Sequence, residues 1–287
     1  KTQPLEVYQS QRRGGMGKTA ASVKDEDFVE QLIVANTHRT LLCFSNLGKV
    51  YWLKVYEIPQ ASRTAKGRPL VNLIELDEQE RVTSLLDVQS FEDEAFVFMA
   101  TQNGIIKKTP LSEFKRPRKN GKRAIKLDEN DELVGTLLTN GSADLMVVSN
   151  AGKAVFFNEK DARSMGRDTR GVKGITLDRN QQVISLLKPS TESEILTVSE
   201  NGYGKRSKVS DFRKTKRGAK GVIAMQTTQR NGDLISAKEV SDTDEVILIT
   251  NKGMLVRTKV SEISLIGRNT QGVKAVSYTH LRAHETS

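Results

Sequence analysis

Five four-residue strings, each opening on Ser or Thr and closing on Gly, recur along this 287-residue chain: Ser45-Asn46-Leu47-Gly48, Thr101-Gln102-Asn103-Gly104, Ser149-Asn150-Ala151-Gly152, Ser199-Glu200-Asn201-Gly202 and Thr250-Asn251-Lys252-Gly253. Their glycines lie 56, 48, 50 and 51 residues apart. Self-similarity at such a period constrains the fold more than any single motif. A unit too small to bury its own apolar face must stack against copies of itself, in a propeller or a related array.

Each string separates two runs with strand character: 40–44 and 50–55, then 95–100 and 105–109, with similar pairs beginning at Leu145, Ile195 and Val246. Asn or Lys before Gly suits the positive-φ positions of a tight hairpin turn. Downstream comes a short polar segment (109–114 or 208–212), then a basic, glycine-containing loop. Two more runs follow, for example 124–127 and 133–138, separated by the acidic connection Asp128-Glu129-Asn130-Asp131-Glu132. Four short strands per fifty residues make one blade. Lys1-Thr2-Gln3-Pro4-Leu5 aligns with Lys107-Lys108-Thr109-Pro110-Leu111, and the last copy stops after Gly272-Val273-Lys274-Ala275-Val276. The expectation is therefore an all-β array of six four-stranded blades over residues 1–276, with the two outer blades clipped and both termini frayed. Residues 277–287 match no repeat and read as a cloning or sequencing scar.

No run approaches eighteen consecutive apolar residues, so no membrane-spanning helix is expected. The single cysteine, Cys43, lies between Leu42 and Phe44 and reads as a small buried hydrophobe; a disulfide framework is excluded, which fits a reducing compartment. The formal net charge is +10, and its pattern says more than its sign. Seven basic and no acidic residues stand between Lys115 and Lys126, and eight basic residues stand between Lys205 and Lys220 against Asp211 alone. Acids gather at Glu75, Asp77, Glu78 and Glu80 and again at 128–132. One such run is an ordinary solvated face. Copies in phase with the repeat come to equivalent places in an array and form a stripe suited to a polyanion.

The basic loops define the candidate contacts. The first is Gln11-Arg12-Arg13-Gly14-Gly15-Met16-Gly17, followed by Lys18. Its counterparts carry Arg63, Lys66 and Arg68; Arg116, Arg118, Lys119 and Lys122; Arg167, Arg170 and Lys173; Lys214, Lys216, Arg217 and Lys220; and Arg268. Arginine offers planar bidentate donors to phosphate oxygens, and glycine lets backbone amides approach them closely. The string Gly14 to Thr19 ends in Gly-Lys-Thr, but Arg12 stands where a phosphate-binding P-loop has its first glycine, and no helical period follows.

The heptapeptide 11–17, followed by Phe28-Val29-Glu30-Gln31-Leu32-Ile33-Val34-Ala35-Asn36-Thr37-His38, resembles part of the C-terminal domain of the DNA gyrase A protein. The likeness extends to about residue 276 and includes Met99-Ala100-Thr101-Gln102-Asn103-Gly104, Asn201-Gly202-Tyr203-Gly204-Lys205-Arg206 and Val260-Ser261-Glu262-Ile263-Ser264. The heptapeptide resembles the gyrase A box, which separates that family from topoisomerase IV. The box ordinarily has a basic sixth residue, where Met16 stands here. The resemblance implies a six-bladed β-pinwheel, a propeller-like disc whose blades exchange strands, with duplex DNA wrapped around a positive rim. It further implies the rest of the gyrase A protein and the gyrase B protein as partners in a heterotetramer, and a cytoplasmic, nucleoid-associated setting. This stretch would be non-catalytic and would hold no cofactor, ATP and Mg2+ being used elsewhere in the holoenzyme.

The residues offer no competing chemistry. Tyr8, Tyr51, Tyr56 and Tyr203 fall at or beside strands, where packing explains them, and Trp52 reads as a strand core residue. His38 has no second histidine or cysteine near it for a metal or a dyad. A protein-interaction propeller of the kelch or WD type would carry recurrent aromatic or Trp-Asp markers, and the chain has one Trp. If the first loop holds a special role, Arg12→Ala with Arg13→Ala reduces DNA wrapping more than Arg167→Ala with Arg170→Ala; an equal or smaller loss in a linking-number assay removes that role.

Overall fold

The computed structural model describes residue 2 and residues 35–61, 67–92, 94–249 and 255–274. The first basic loop, Arg63, Lys66, Tyr8, the turn at 250–253 and the segment 277–287 lie outside the described residues. Within them the protein is all-β, with eighteen strands in four four-stranded sheets and one two-stranded sheet, every pairing within a sheet antiparallel.

The first sheet takes β1 (Thr40–Ser45), β2 (Lys49–Lys54) and β3 (Val82–Val88) from one repeat and β6 (Lys122–Arg123) from the next, in the order β3-β1-β2-β6. The second takes β4 (Phe96–Thr101), β5 (Ile105–Pro110) and β7 (Leu133–Thr139), and its fourth strand is β10 (Val172–Lys173) of the following repeat. In the third, β8 (Asp144–Ser149), β9 (Lys153–Asn158) and β11 (Val183–Leu187) receive β14 (Val222–Ile223). In the fourth, β12 (Glu194–Ser199), β13 (Tyr203–Lys208) and β15 (Leu234–Val240) receive β18 (Val273–Lys274). The hairpin β16 (Glu245–Ile249) and β17 (Leu255–Lys259) forms the last sheet. Each blade is thus completed by its successor, which is the strand exchange of a pinwheel.

Hydrophobic burial explains why the first strand of each repeat reads as a near-continuous apolar run, whereas the second strands β5 and β13 carry cations. In β4, Val97 and Met99 join a core with Leu42, Phe44 and Val50 of the preceding sheet, whereas Phe98 and Ala100 join a second core with Leu145, Val147 and Phe157 of the following sheet. Alternate side chains point to opposite faces, and both faces are covered. The third strands of successive sheets lie together, β3 against β7, β7 against β11 and β11 against β15, with Ser84 and Thr136 hydroxyls 2.8 Å apart. The sheets converge along that edge. The exchanged strands and their loops occupy the opposite, outer edge.

Three sequence expectations need revision. In the hairpins Gly48, Gly104, Gly152 and Gly202 have positive φ but the residues before them do not; the backbone turns through Gly48 N to Ser45 O at 3.0 Å and its equivalents, a type I turn closed by a left-handed glycine. The run 124–127 is not a strand. The ladder stops at β6, and the amides of Ala124 and Ile125 both donate to Gly48 O, at 2.8 and 3.2 Å, so that consecutive side chains enter the core together. Tyr56 is 65 % exposed on a 3-10 turn, so packing does not account for it. Tyr51 and Cys43 are buried as expected, and burial pushes the Cys43 thiol up to about 12. Trp52 is half-buried, packs against the first core as expected, and also donates its indole N–H to Phe114 O at 2.7 Å, joining two repeats.

The alignment of residues 1–5 with 107–111 has a geometric counterpart. Thr2 bridges Gln60 in the way Lys108 bridges Ser164, Phe156 bridges Lys214 and Arg206 bridges Leu265.

The loops feeding the exchanged strands end on glycines pressed against the preceding blade. Gly221 has φ +79°, and a Cβ there would stand 2.6 Å from Ala154 O. Gly221→Ala is therefore expected to cost about 1–3 kcal/mol, seen as a lowered thermal midpoint. Gly166→Ala, which meets nothing within 4 Å, should leave the midpoint nearly unchanged.

Candidate nucleic-acid interface

Four described basic loops lead directly into β6, β10, β14 and β18 at the outer edge. Their last glycines, Gly121, Gly171, Gly221 and Gly272, all have positive φ. A Cβ on Gly171 would lie 2.5 Å from Ile106 O, and one on Gly121 would lie 2.7 Å from the Tyr51 ring. These glycines serve the approach of loop to blade, a role the sequence reading did not assign them. The fourth-repeat loop also runs three residues further than its alignment indicated, since Gly221, not Gly218, holds the equivalent place.

The arginines divide by function. Arg217 donates from Nε to Asp161 O at 2.9 Å and from Nη1 to Lys173 O at 3.0 Å. Arg268 repeats this one unit on, to Asp211 O and Ile223 O, both at 2.9 Å. Arg167 reaches Arg123 O at 3.2 Å and stands 3.7 Å from the Glu113 carboxylate. In each case the guanidinium binds a carbonyl of the strand exchanged into the previous blade. The fork geometry suits two acceptors held at fixed positions. These three residues, expected from sequence to contact DNA, use part of their donor set to hold the array together.

Other expected contacts are ion-paired. Arg170 pairs with Asp128 and Lys214 with Asp144, while Lys119 meets Glu75 at 2.8 Å. The acidic connection of one repeat therefore lies beside the basic loop of the next. Such exposed pairs are worth about 0–1 kcal/mol each, so a polyanion can compete for the cation. Lys122 stands 5.6 Å from the Trp52 ring centre, and burial, followed by the nearby Arg167, Arg118 and Arg116, lowers its pKa. Arg68, Arg116, Arg118, Lys173, Lys216 and Lys220 are exposed and have no side-chain partner among the described residues. Arg123, which the sequence reading left out of the candidate contacts, is 58 % exposed in β6 and lies 4.0 Å from the Asp168 carboxylate.

Sequence reasoning also missed two lysines inside the blades. Lys107 and Lys205 are wholly buried on β5 and β13. The Lys107 ammonium donates to Ala124 O at 2.8 Å, to Thr169 O at 3.1 Å and to Arg167 O; Lys205 donates to Gly267 O at 2.9 Å and to Arg268 O. Burial takes Lys107 down to about 7 and Lys205 to about 8. The one sequence signal was a charge at a strand position whose equivalents, Tyr51 and Val155, are apolar or aromatic. Among the described residues no group of His, Cys, Asp or Glu could hold a metal ion, and no helix is long and apolar enough to cross a membrane.

The family model for the DNA gyrase C-terminal domain, beta-propeller, matches six consecutive segments: residues 1–36, 39–89, 95–140, 143–190, 193–241 and 244–282. The DNA gyrase A protein of Salmonella typhimurium is 52 % identical over 273 residues, covering 95 % of this chain and 31 % of the relative. The protein of the same name from Buchnera aphidicola subsp. Acyrthosiphon pisum is 58 % identical over 273 residues, 95 % of this chain and 33 % of its own. The chain thus spans about a third of the length of these curated relatives. Among solved structures, a DNA gyrase A C-terminal domain superposes with TM-score 0.74 at 27 % identity, covering 93 % of this chain and 89 % of that one. The C-terminal domain of a DNA topoisomerase IV gives 0.80 at 26 %, covering 90 % and 82 %.

The division among the arginines and lysines is testable by stability alone. Arg217→Ala or Arg268→Ala strips charged donors from two carbonyls and should cost about 1.5–3 kcal/mol, whereas Lys216→Ala should stay within about 0.5 kcal/mol. Equal thermal midpoints for Arg217→Ala and Lys216→Ala would remove the structural role assigned to the arginines.

Proposed function

Because this chain belongs to the DNA gyrase C-terminal domain family, we propose that it binds duplex DNA along its outer edge and bends it into a wrap, as the DNA-wrapping part of a gyrase A protein. One observation carries the reading. Exposed cations with no partner among the described residues, Arg116, Arg118, Lys173, Lys216 and Lys220, recur on consecutive blades beside the exchanged strands. A row of point charges on a curved edge favours a continuous polyanion over a small anionic ligand.

Each phosphate neutralised releases condensed counterions, with a log-log salt slope of about −0.9 per contact on duplex DNA. Bending 20 to 30 base pairs by 40 to 90° costs roughly 1–6 kcal/mol, which several such contacts can offset. Backbone contacts position without specifying, and no α-helix among the described residues is present to enter a major groove, so sequence preference should be weak. In the holoenzyme the wrapped segment would be handed to a cleavage gate, and ATP-driven strand passage would leave negative supercoils. The partners in this reading are the remainder of the gyrase A protein and the gyrase B protein in a heterotetramer, in the cytoplasm at the nucleoid. ATP and Mg2+ act outside this chain, which is itself non-catalytic.

The corresponding domain of topoisomerase IV is the less favoured reading. The two superpositions are of similar quality at 26 and 27 % identity and bear on the fold, while identity of about half to curated gyrase A relatives over 95 % of the chain favours gyrase.

Relaxed circular plasmid saturated with this protein and then treated with a nicking-closing enzyme should show a shifted linking number. Lys216→Glu with Lys220→Glu should reduce both the shift and the salt slope while leaving the thermal midpoint unchanged. An unshifted linking number at saturation overturns wrapping. Early elution from duplex resin as salt rises points instead to a protein-interaction propeller. Since Arg167 is tied into the fold, the Lys216 and Lys220 pair is the better comparison for the Arg12 and Arg13 variants.

A further inference from the structure

Buried ammonium groups are costly, and here two are placed under the outer loops of alternate blades. Lys107 and Lys205 are wholly buried, yet Tyr51 and Val155 fill the equivalent positions on β2 and β9 and are buried too. Packing alone does not require an ammonium there. What Lys107 and Lys205 do that Tyr and Val do not is gather carbonyls: those of Arg167 and Thr169 in one loop and those of Gly267 and Arg268 in the other.

In a trans peptide the carbonyl and the N–H of the same unit point in opposite directions. Drawing Arg167 O and Thr169 O inward therefore turns the amides of Asp168 and Arg170 outward. Drawing Gly267 O and Arg268 O inward does the same for the amides of Arg268 and Asn269. None of these four amides has an acceptor among the described residues.

We infer that Lys107 and Lys205 are positioning residues for phosphate binding, each holding the next repeat's loop carbonyl-inward so that two successive or alternate amides face the outer edge and donate to the backbone of duplex DNA. This rests on the DNA-binding reading above. The loops carried on β2 and β9 lack the device, so anchoring alternates along the array. In the loop carried on β9 the carbonyls are met instead by Thr176, whose amide donates to Ala219 O at 2.9 Å and whose hydroxyl donates to Gly218 O at 2.7 Å, so the ammonium contacts are particular to the loops above Lys107 and Lys205.

The arrangement links binding to protons. Burial holds Lys107 near 7 and Lys205 near 8; Asp168 and Glu113 face Lys107 and raise it while Arg167 lowers it, and Asp211 raises Lys205 while Arg268 lowers it. A phosphate seated on the loop adds negative charge above the ammonium and favours its protonated form. Binding then takes up protons at a pH above the free-state values, and affinity falls as pH rises through them, by at most about tenfold per pH unit for each lysine.

Duplex DNA binding by this protein, measured by calorimetry at pH 7.5 in buffers of different ionisation enthalpy, should show net proton uptake that shrinks as pH is lowered and both lysines become protonated in the free protein. Lys107→Met with Lys205→Met should abolish the uptake and flatten the affinity profile between pH 7 and 9, apart from any slope the terminal amine leaves. Binding by the wild type without proton uptake overturns this inference and leaves the DNA-binding reading intact; the wild-type experiment decides this even if the double variant does not fold. A double variant that folds and keeps the wild-type uptake overturns it as well. Failure of the wild type to bind duplex DNA removes the reading beneath it and the inference together.

Discussion

The second strand of each sheet would be an open edge if its own repeat were all it had. Unpaired N–H and C=O groups along such an edge are a template for aggregation, and the chain covers them with two residues of the next repeat. Lys122 and Arg123 close the first sheet, Val172 and Lys173 the second, Val222 and Ile223 the third, and Val273 and Lys274 the fourth. Two ladder positions are a weak attachment by themselves. The surrounding contacts secure it: the glycine that lets the loop lie flat on the blade, the arginine that binds the exchanged carbonyl, and the donor on the second strand (Trp52, Lys108 or Arg206) that reaches the next repeat's backbone.

This device also decides what each cation can do. Arg217 and Arg268 sit where a planar fork meets two carbonyls at once, a task for which a flexible ammonium is poorly shaped. The lysines at 173, 216 and 220 carry no such obligation and present compact charges to solvent. Charge and architecture are therefore coupled. The residue types that look interchangeable in a basic run are sorted by the backbone they stand on.

Most of the architecture was legible because period is a global property. The Ser/Thr-x-x-Gly strings marked the hairpins, and double-sided burial made the first strand of each repeat an apolar run. The exchange itself was not legible from pattern. A strand of two residues has no periodicity, and the apolar run 124–127 just beyond it mimics a strand because Ala124 and Ile125 both enter the core while donating to one carbonyl. The likeness to a known family supplied the exchange where the pattern could not. The site was read less well. Basic composition located the loops, but the acceptors of Arg167, Arg217 and Arg268 are backbone carbonyls some 44 to 57 residues away in sequence, and such partners leave no trace in composition. Lys107 and Lys205 were passed over because a lysine beside another cation reads as surface.

The acidic connections make the outer edge uneven. Glu75 and Asp128 stand against the loops of the second and third repeats and pair with Lys119 and Arg170. Asp178, the next equivalent, has no ion pair among the described residues, and the loop it would face carries Lys216 and Lys220 unpaired. Exposed pairs are weak, so Lys119 and Arg170 can exchange a carboxylate for a phosphate, but they do so against a neighbouring negative charge that remains. In the fourth repeat's loop Lys214 pairs with Asp144, while Lys216 and Lys220 have no carboxylate partner among the described residues. A polyanion following the outer edge would meet unpaired side-chain cations in that loop and partly neutralised ones in the loops beside it. Two of those flanking loops, at 166–171 and 267–272, are the ones whose amides are turned outward from below. Donors from the backbone thus stand where side-chain charge is compensated at Arg170 or reduced to Arg268 already bound to carbonyls. The balance of attraction along the edge comes from both sources together.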